Sequence, residues 1–388
     1  MSTEVVQLTA ADFDEGLAFM NAVFAAKKPD RFHDFHALLP SIYQPTDELM
    51  ACNHAVRVNG ELRAIVGLFP MDWQVGDVVL KVGGIGGVST HLAHRDKGYM
   101  SLLMNHCVDY MKGQGCHLSY LGGQRQRYGY AGYEKCGQKL QLLVDKRNLK
   151  HVFDTPSSLR FEPIAANDAE RIAMARELHD AQPVRQLRDP THFGRFLVSW
   201  YNQPFAALDE QGAMVGYLVA TRDGSAVYEL LADNTDTEVD IARAWVEADA
   251  ARDSVTFELP PWRYDLVRRF AEIGESPAVH DARNWQIFDW PATVEALMKL
   301  GATGGALEDG EVLLGIEEYG TLRIRVVGGE PQAQRVDDAA AVTWHPFTAM
   351  RVLFGPFPPP AVTAIPREVA ALQAWCPLPL SWQLQDAV

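Results

Sequence analysis

Cysteine is scarce in this sequence. Five residues (Cys52, Cys107, Cys116, Cys136 and Cys376) occur in 388, odd in number, widely scattered and without a Cys-x-x-Cys pair. That excludes a disulfide framework and leaves them as small buried hydrophobes. No apolar run approaches the roughly 18 to 20 residues that cross a bilayer. The opening MSTEVVQLTAADFDE also lacks the basic-then-apolar layout of a secretory signal. A cytoplasmic protein with no membrane span is expected. Cationic side chains are outnumbered, with 35 Lys and Arg against 50 Asp and Glu, a formal net charge of -15. Binding to a phosphate backbone relies on clustered Lys and Arg, so nucleic acid is not an expected partner. A cationic small molecule would be attracted at long range.

What is present is a globular composition, 47% hydrophobic and 22% charged, in a chain long enough for two or three domains. The first segment, residues 1–150, has helical periodicity in DFDEGLAFMNAVF and DRFHDFHALLPSIY. Strand-like runs follow in HAVRV, LRAIVGLFPMDWQV and VVLKVGGIGGVST, then a helix over 99–113 and two more strands, HLSYL and QKLQLLVDKR. The second segment, 151–290, repeats that order faintly: a helix (AERIAMARELHDA), strands (FAALDEQGAMVGYLVATRDG, AVYELLA), a helix (VDIARAWVEADAA), a strand (SVTFELP) and a helix (YDLVRRFAEIG). The third, 291–388, has a helix in TVEALMKLG, alternating strands in EVLLGIEEYGTLRIRVVGG, and an apolar tail ending CPLPLSWQLQDAV. The fold class is α+β, mixed sheets with helices packed on them.

One stretch, HRDKGYMSLLMNHC, turns from a charged loop into helical spacing. Met100, Leu103, Met104, Cys107 and Met111 share one face, so the helix starts near Gly98. Its first N–H groups have no partner within the helix and carry the positive end of the macrodipole, and a glycine there lets a phosphate approach the backbone. Arg95 and Lys97 add charge, whereas Asp96 must point outward if a diphosphate binds. The run GGIGG at 83–87 does not match a dinucleotide fingerprint and reads as a bulge that splays two strands. A zinc site built on His91, His94, His106, Cys107, Cys116 and His117 is disfavoured, because His-x-x-His in this passage turns its rings to different faces. No metal is expected.

Arg95-Asp96-Lys97-Gly98-Tyr99-Met100 after a strand and before a helix resembles the R/Q-x-x-G-x-G/A signature of the GNAT superfamily of acyl-CoA N-acetyltransferases. Met100 departs from the small residue usual at its place. Tyr128, four residues before Gly132-Tyr133-Glu134, is similar to that family's Y-x-x-x-G-[FY]-E ending. The layout of the whole chain resembles the Eis (enhanced intracellular survival) branch. That branch joins an active GNAT domain, here 1–150, a degenerate one, 151–290, and a sterol-carrier-protein-like domain, 291–388, whose C-terminus reaches the active site. ADNTDTEVDIARAW, at the equivalent place in the second segment, is acidic and lacks Arg-x-x-Gly, so coenzyme A is expected only in the first.

The resemblance implies acetyl-CoA as co-substrate and direct transfer to a primary amine. The acceptor class is cationic: aminoglycoside-like, polyamine or a lysine side chain. Val88, Ser89 and Thr90 would meet the pantetheine and thioester, and Arg95, Asp96, Lys97, Gly98, Tyr99, Met100 and Ser101 would wrap the diphosphate. Gly123 and Gln124 would lie beside the cofactor. Tyr128 would be the acid for the departing thiolate. The base would be the α-carboxylate of Val388, directly or through a water, with Asp386 as the alternative carboxylate. Glu229, Asp233 and Asp289 are candidates for lining the acceptor pocket, while Trp285, Trp290, Trp344 and Trp382 are read as core. A homo-oligomer, hexameric by the resemblance, is implied. The competing reading is a non-catalytic scaffold that binds coenzyme A or a lipid.

Overall fold

The computed structural model describes residues 3–26 and 33–388. Three sheets organise the chain, and the mixed α/β class expected from the sequence is observed. In the first sheet the strands Thr3–Gln7, Asn53–Val58, Glu61–Val75 and Val78–Thr90 form an antiparallel meander. Helix Tyr99–Gly113 then crosses over to Leu118–Leu121, which pairs parallel with Val78–Thr90. The helix packs through Leu103, Met104, Cys107, Val108 and Met111, all buried, with Met100 packed partly buried against the same core. This is the i, i+4 face that the sequence spacing implies. Of the helix read over DRFHDFHALLPSIY, only Phe35–Leu38 is helical among the described residues. The beginning of that run, residues 30–32, lies outside the described residues.

The second sheet repeats the sequence of events. Gln203–Leu208, Met214–Ala220 and Ala226–Ala232 form a meander, helix Thr235–Ala248 crosses over, and Ser254–Leu259 returns parallel to Ala226–Ala232. The two sheets also trade strands. Lys139–Asp145, read from the sequence as ending the first segment, pairs instead in the second sheet between Ser254–Leu259 and Gly274–His280. In return Asn284–Ile287 enters the first sheet between Leu118–Leu121 and Glu134–Lys135. An apolar alternation makes a strand but does not name its neighbour, which is why sequence order misassigned the first of these and overlooked the second.

The third sheet has the order Glu330–Val336, Gly320–Val327, Gly310–Ile316, Val342–Trp344, the last pair parallel. Its core is continuous with that of the first sheet. The joint is aromatic: Trp382 stacks on Tyr120 at 4.8 Å between ring centroids and meets Trp73 at 5.7 Å, beside the fully buried Trp285. Trp290 and Trp344 are buried in the same cluster, so Trp285, Trp290, Trp344 and Trp382 are all core, as read from the sequence. Truncating Trp382 to alanine would cost about 3–5 kcal/mol through the cavity left between two sheets.

Candidate active site

The site begins with a defect in strand pairing. Ile65 pairs with Ser89 and Gly67 with Gly86, so Gly87 and Val88 stand opposite the single residue Val66. Gly87 takes a positive φ of 59°. This is a β-bulge, and it removes two residues from the regular ladder. The Ser89 hydroxyl donates to the Gly87 carbonyl at 2.8 Å, which satisfies one group the bulge would orphan. Meanwhile Val78–Thr90 stays paired with Leu118–Leu121 only through Ile85. Beyond Ile85 the two strands part, and a cleft of about 1170 Å³ opens between Gly86–Thr90 and Gly122–Gln124.

At one end of the cleft the loop His94–Gly98 delivers the chain to helix Tyr99–Gly113. Gly98 is the N-cap in the left-handed region, φ 77°, with no side-chain cap on the helix and open space where a Cβ would stand. The helix N-terminus is therefore presented to the cleft as bare backbone. Arg95, Asp96, Gly98, Tyr99, Met100 and Ser101 line it, with Asp96 exposed and also at positive φ, 66°. Lys97 is exposed but does not line the cleft, and Ser89 is buried with its hydroxyl turned to the backbone. Val88, Thr90, Gly123 and Gln124 do line it. Arg127 and Arg283 supply further positive charge that sequence reading missed.

Tyr128 also lines the cleft. It ends the short helix Arg125–Tyr128, and its ring packs on Gly123, where a Cβ would lie 2.6 Å from the ring carbon Cε2. Burial raises the Tyr128 phenol above its ordinary value, only partly offset by Arg127. Facing the bulge is Val388. A Cβ on Gly86 would sit 2.8 Å from the main-chain carbon of Val388, and one on Gly84 would sit 2.8 Å from its Cγ2. Among the described residues the cleft is also lined by Phe24, Asp34, Phe35, Leu38, Trp200 and Tyr201, together with His33 and Leu39. Trp200 and Tyr201 both adopt positive φ, 62° and 61°. For bulky residues that conformation costs on the order of 1–3 kcal/mol each and clusters at functional sites. It is held by Trp200 Nε1–H donating to the Ala387 carbonyl at 3.2 Å and Tyr201 Oη–H donating to the Asp34 carbonyl at 3.1 Å.

None of the three acidic residues proposed for the acceptor pocket lines the cleft. Glu229 is buried in ion pairs with Arg188, Asp289 caps helix Trp290–Ala302 by accepting from the Ala292 N–H at 3.0 Å, and Asp233 lines a separate cavity of about 510 Å³. Glu229 and Asp289 serve structural contacts instead: an ion pair whose partner lies 41 residues away, and a helix cap that Asp289-Trp290-Pro291 spells locally. At the equivalent helix start in the second sheet, the Asn234 side chain already accepts from the Thr237 N–H, and Asp236 and Glu238 fill the first turn. Both carboxylates are ion-paired, with Arg269 and Arg263, and a phosphate there would meet a helix end whose cap is already made. Of the histidines and cysteines weighed as zinc ligands, His91 and His94 do meet, Nδ1 to Nδ1 at 3.1 Å, contrary to the expected divergence of their rings; His106 Nε2 lies 3.1 Å from His54 Nδ1, and His117 Nδ1 accepts from the Lys81 N–H. No group of three or more potential ligands converges among the described residues.

Residues 4–137 match the family model for an acetyltransferase (GNAT) domain. A comparison with curated proteins gave no match. Solved structures resemble the chain over its whole length. A GCN5-related N-acetyltransferase from Kribbella flavida shares 18% identity at a TM-score of 0.68, covering 100% of this chain and 98% of its own. A probable N-acyltransferase from Enterococcus faecalis shares 14% at 0.68, with 100% of both chains covered. Eis1 from Mycobacterium abscessus shares 13% at 0.64, with 99% of both covered. At these identities the likeness is one of fold. The bulge, the splayed parallel pair and the glycine-capped helix all fall within the stretch, residues 4–137, that is similar to a GNAT acetyltransferase domain.

Proposed function

We propose that the protein is an N-acetyltransferase that moves an acetyl group from acetyl-CoA to the primary amine of a cationic acceptor by direct attack. One observation carries this reading: the bulge at Gly87–Val88, the phenol of Tyr128 and the main-chain end at Val388 surround a single cleft. The residues suit the co-substrate. The bare helix N-terminus at Gly98, with Arg95 and Arg127, would take its diphosphate, and the parted strands would admit its pantetheine arm. When bound, acetyl-CoA supplies the thioester carbonyl and a sulfur leaving group.

The chain's own groups then divide the work. Backbone N–H groups at the bulge would orient and polarise the acyl oxygen, which is worth several kcal/mol in a dry site. Tyr128 Oη would give its proton to the departing sulfur. The α-carboxylate of Val388 would accept the proton released by the amine, directly or through one water. The aromatic face of Trp200 and the carboxylate of Asp34, which also caps helix Phe35–Leu38, would receive the acceptor's positive charge. The second segment, which repeats the meander, crossover and parallel return of the first, we read as a degenerate copy. The third we read as a sterol-carrier-like unit whose end completes the site.

Thiol release from acetyl-CoA, measured across polyamines, aminoglycosides and lysine peptides for wild type and Tyr128→Phe, tests the proposal. Amine-dependent release that collapses in the variant is expected. Binding of acetyl-CoA with no release for any amine would favour a non-catalytic scaffold.

A further inference from the structure

The last residues are held by an ion-pair network that joins the first sheet, the second sheet and the C-terminal tail. Arg188 follows the short strand Val184–Gln186, which pairs with Trp73–Val75 at the end of the first sheet's long strand. The Arg188 backbone is thus fixed on the first sheet. Its Nε donates to Asp386 Oδ1 at 2.6 Å, and its Nη1 and Nη2 donate to the two oxygens of Glu229 at 3.2 and 2.5 Å. Tyr217 Oη donates to the same Glu229 at 2.7 Å. All of these groups are buried, and the Arg188 side chain is 0% exposed. Burial opposes the charge on Arg188, but Asp386 and Glu229 more than offset it, so the guanidinium stays charged.

The tail has further anchors on either side of Asp386. The Gln385 side chain accepts from Asn202 Nδ2 at 2.8 Å and donates to the Phe196 and Leu197 carbonyls. The Asp386 carbonyl accepts from Tyr120 Oη and Trp382 Nε1 at 3.1 and 3.0 Å, and the Ala387 carbonyl accepts from Trp200. Two residues reach at most about 7 Å when extended, so fixing Asp386 and Ala387 fixes Val388 to within a small volume.

A buried ion pair of this kind roughly breaks even against apolar packing, so stability alone does not account for it. What a triangle of Arg188, Glu229 and Asp386 adds is register: it accepts one position of the tail and penalises others by leaving a charge unpaired. We infer that Arg188 is a positioning residue for the reaction, and that the second segment serves the active site by clamping the chain's last residues over the bulge. This rests on the reading of Val388 as the base.

The closing experiment measures three quantities on the full-length protein for Arg188→Lys, Arg188→Met paired with Glu229→Gln, and Asp386→Asn. They are the release of Val388 by a carboxypeptidase, the affinity for acetyl-CoA by calorimetry, and kcat for the best amine. Wild type is expected to resist digestion. The Arg188→Met/Glu229→Gln pair is expected to release Val388 at least tenfold faster and lose about 100-fold in kcat, since a misplacement near 1 Å costs that much. Its acetyl-CoA affinity should stay within twofold, and Arg188→Lys should recover part of both losses. Asp386→Asn keeps the shape and is the check should the double variant fold poorly; it should loosen the tail in the same sense. Unchanged protection, or loosened protection with unchanged kcat, overturns the inference. If wild type turns over no amine, the transferase reading falls, and the digestion result still judges the clamp.

Discussion

Gly86 and Val388 meet backbone to backbone. A methyl group on Gly86 would lie 2.8 Å from the main-chain carbon of Val388 and 3.3 Å from its oxygen, closer than packed carbons allow. The chain end and the bulged strand are therefore separated by no side chain at all. Gly86→Ala should push the terminus out of the cleft. Because Gly86 does not have positive φ, backbone strain is small. We expect kcat to fall tenfold or more, in keeping with the sensitivity of catalysis to small displacements. The affinity for acetyl-CoA, measured by calorimetry, should change much less.

Tyr128→Phe should lower kcat by about 10²–10⁴, the usual contribution of a positioned proton donor. The wild-type pH profile carries a second expectation. Burial raises the Tyr128 pKa, so its proton is retained beyond the ordinary phenol value near 10. Activity should climb from pH 7 toward 9 as the acceptor amine deprotonates, with no decline from Tyr128 before about pH 10. A falling limb below pH 9 that vanishes in Tyr128→Phe would contradict the assignment.

Gly98→Val should act on binding instead. The residue sits at φ 77°, which a β-branched side chain resists by roughly 1–2 kcal/mol, and the helix end would turn away from the cleft. Acetyl-CoA should bind about ten times more weakly, as read by calorimetry, while the melting temperature moves by only a few degrees.

How far the site could be read from the sequence depended on how local each part is. The loop from Arg95 to Ser101 and the position of Tyr128 are written in contiguous residues, and they come together along one cleft with Val388. The bulge was readable from GGIGG because crowded glycines in a strand have few other uses. Arg188, Trp200 and Arg283 were not readable. Nothing beside Arg188 in the sequence signals partners 41 and 198 residues away, and Trp200 gains its role through a backbone conformation that no tryptophan advertises. The acidic candidates failed for the converse reason: abundance of charge in the chain says nothing about where each carboxylate is used.

Acid should destabilise the fold through His54. It is 2% exposed, and burial, then His106, lowers its pKa to about 4 from 6.5. A depressed folded-state pKa means the unfolded chain binds the proton first. The stability His54 contributes is complete above pH 6.5 and lost as pH falls toward 4. The loss is on the order of 3 kcal/mol by linkage. His179, whose pKa burial and Arg188 also lower, works in the same direction. Melting curves at pH 7, 5.5 and 4 should show a steep decline that is shallower in His54→Gln. An equal decline in the variant would assign the effect elsewhere.

The reciprocal loan of strands has a consequence for how the molecule is made. Synthesis runs from the N-terminus, yet the first sheet lacks the strand between Leu118–Leu121 and Glu134–Lys135 until residues 284–287 have left the ribosome. Until then the nascent polypeptide exposes two unpaired edges, and Lys139–Asp145 waits for a sheet not yet translated. An excised fragment ending near residue 150 would stay in that immature condition, so the acetyl-CoA cleft should resist transplantation as a free-standing module.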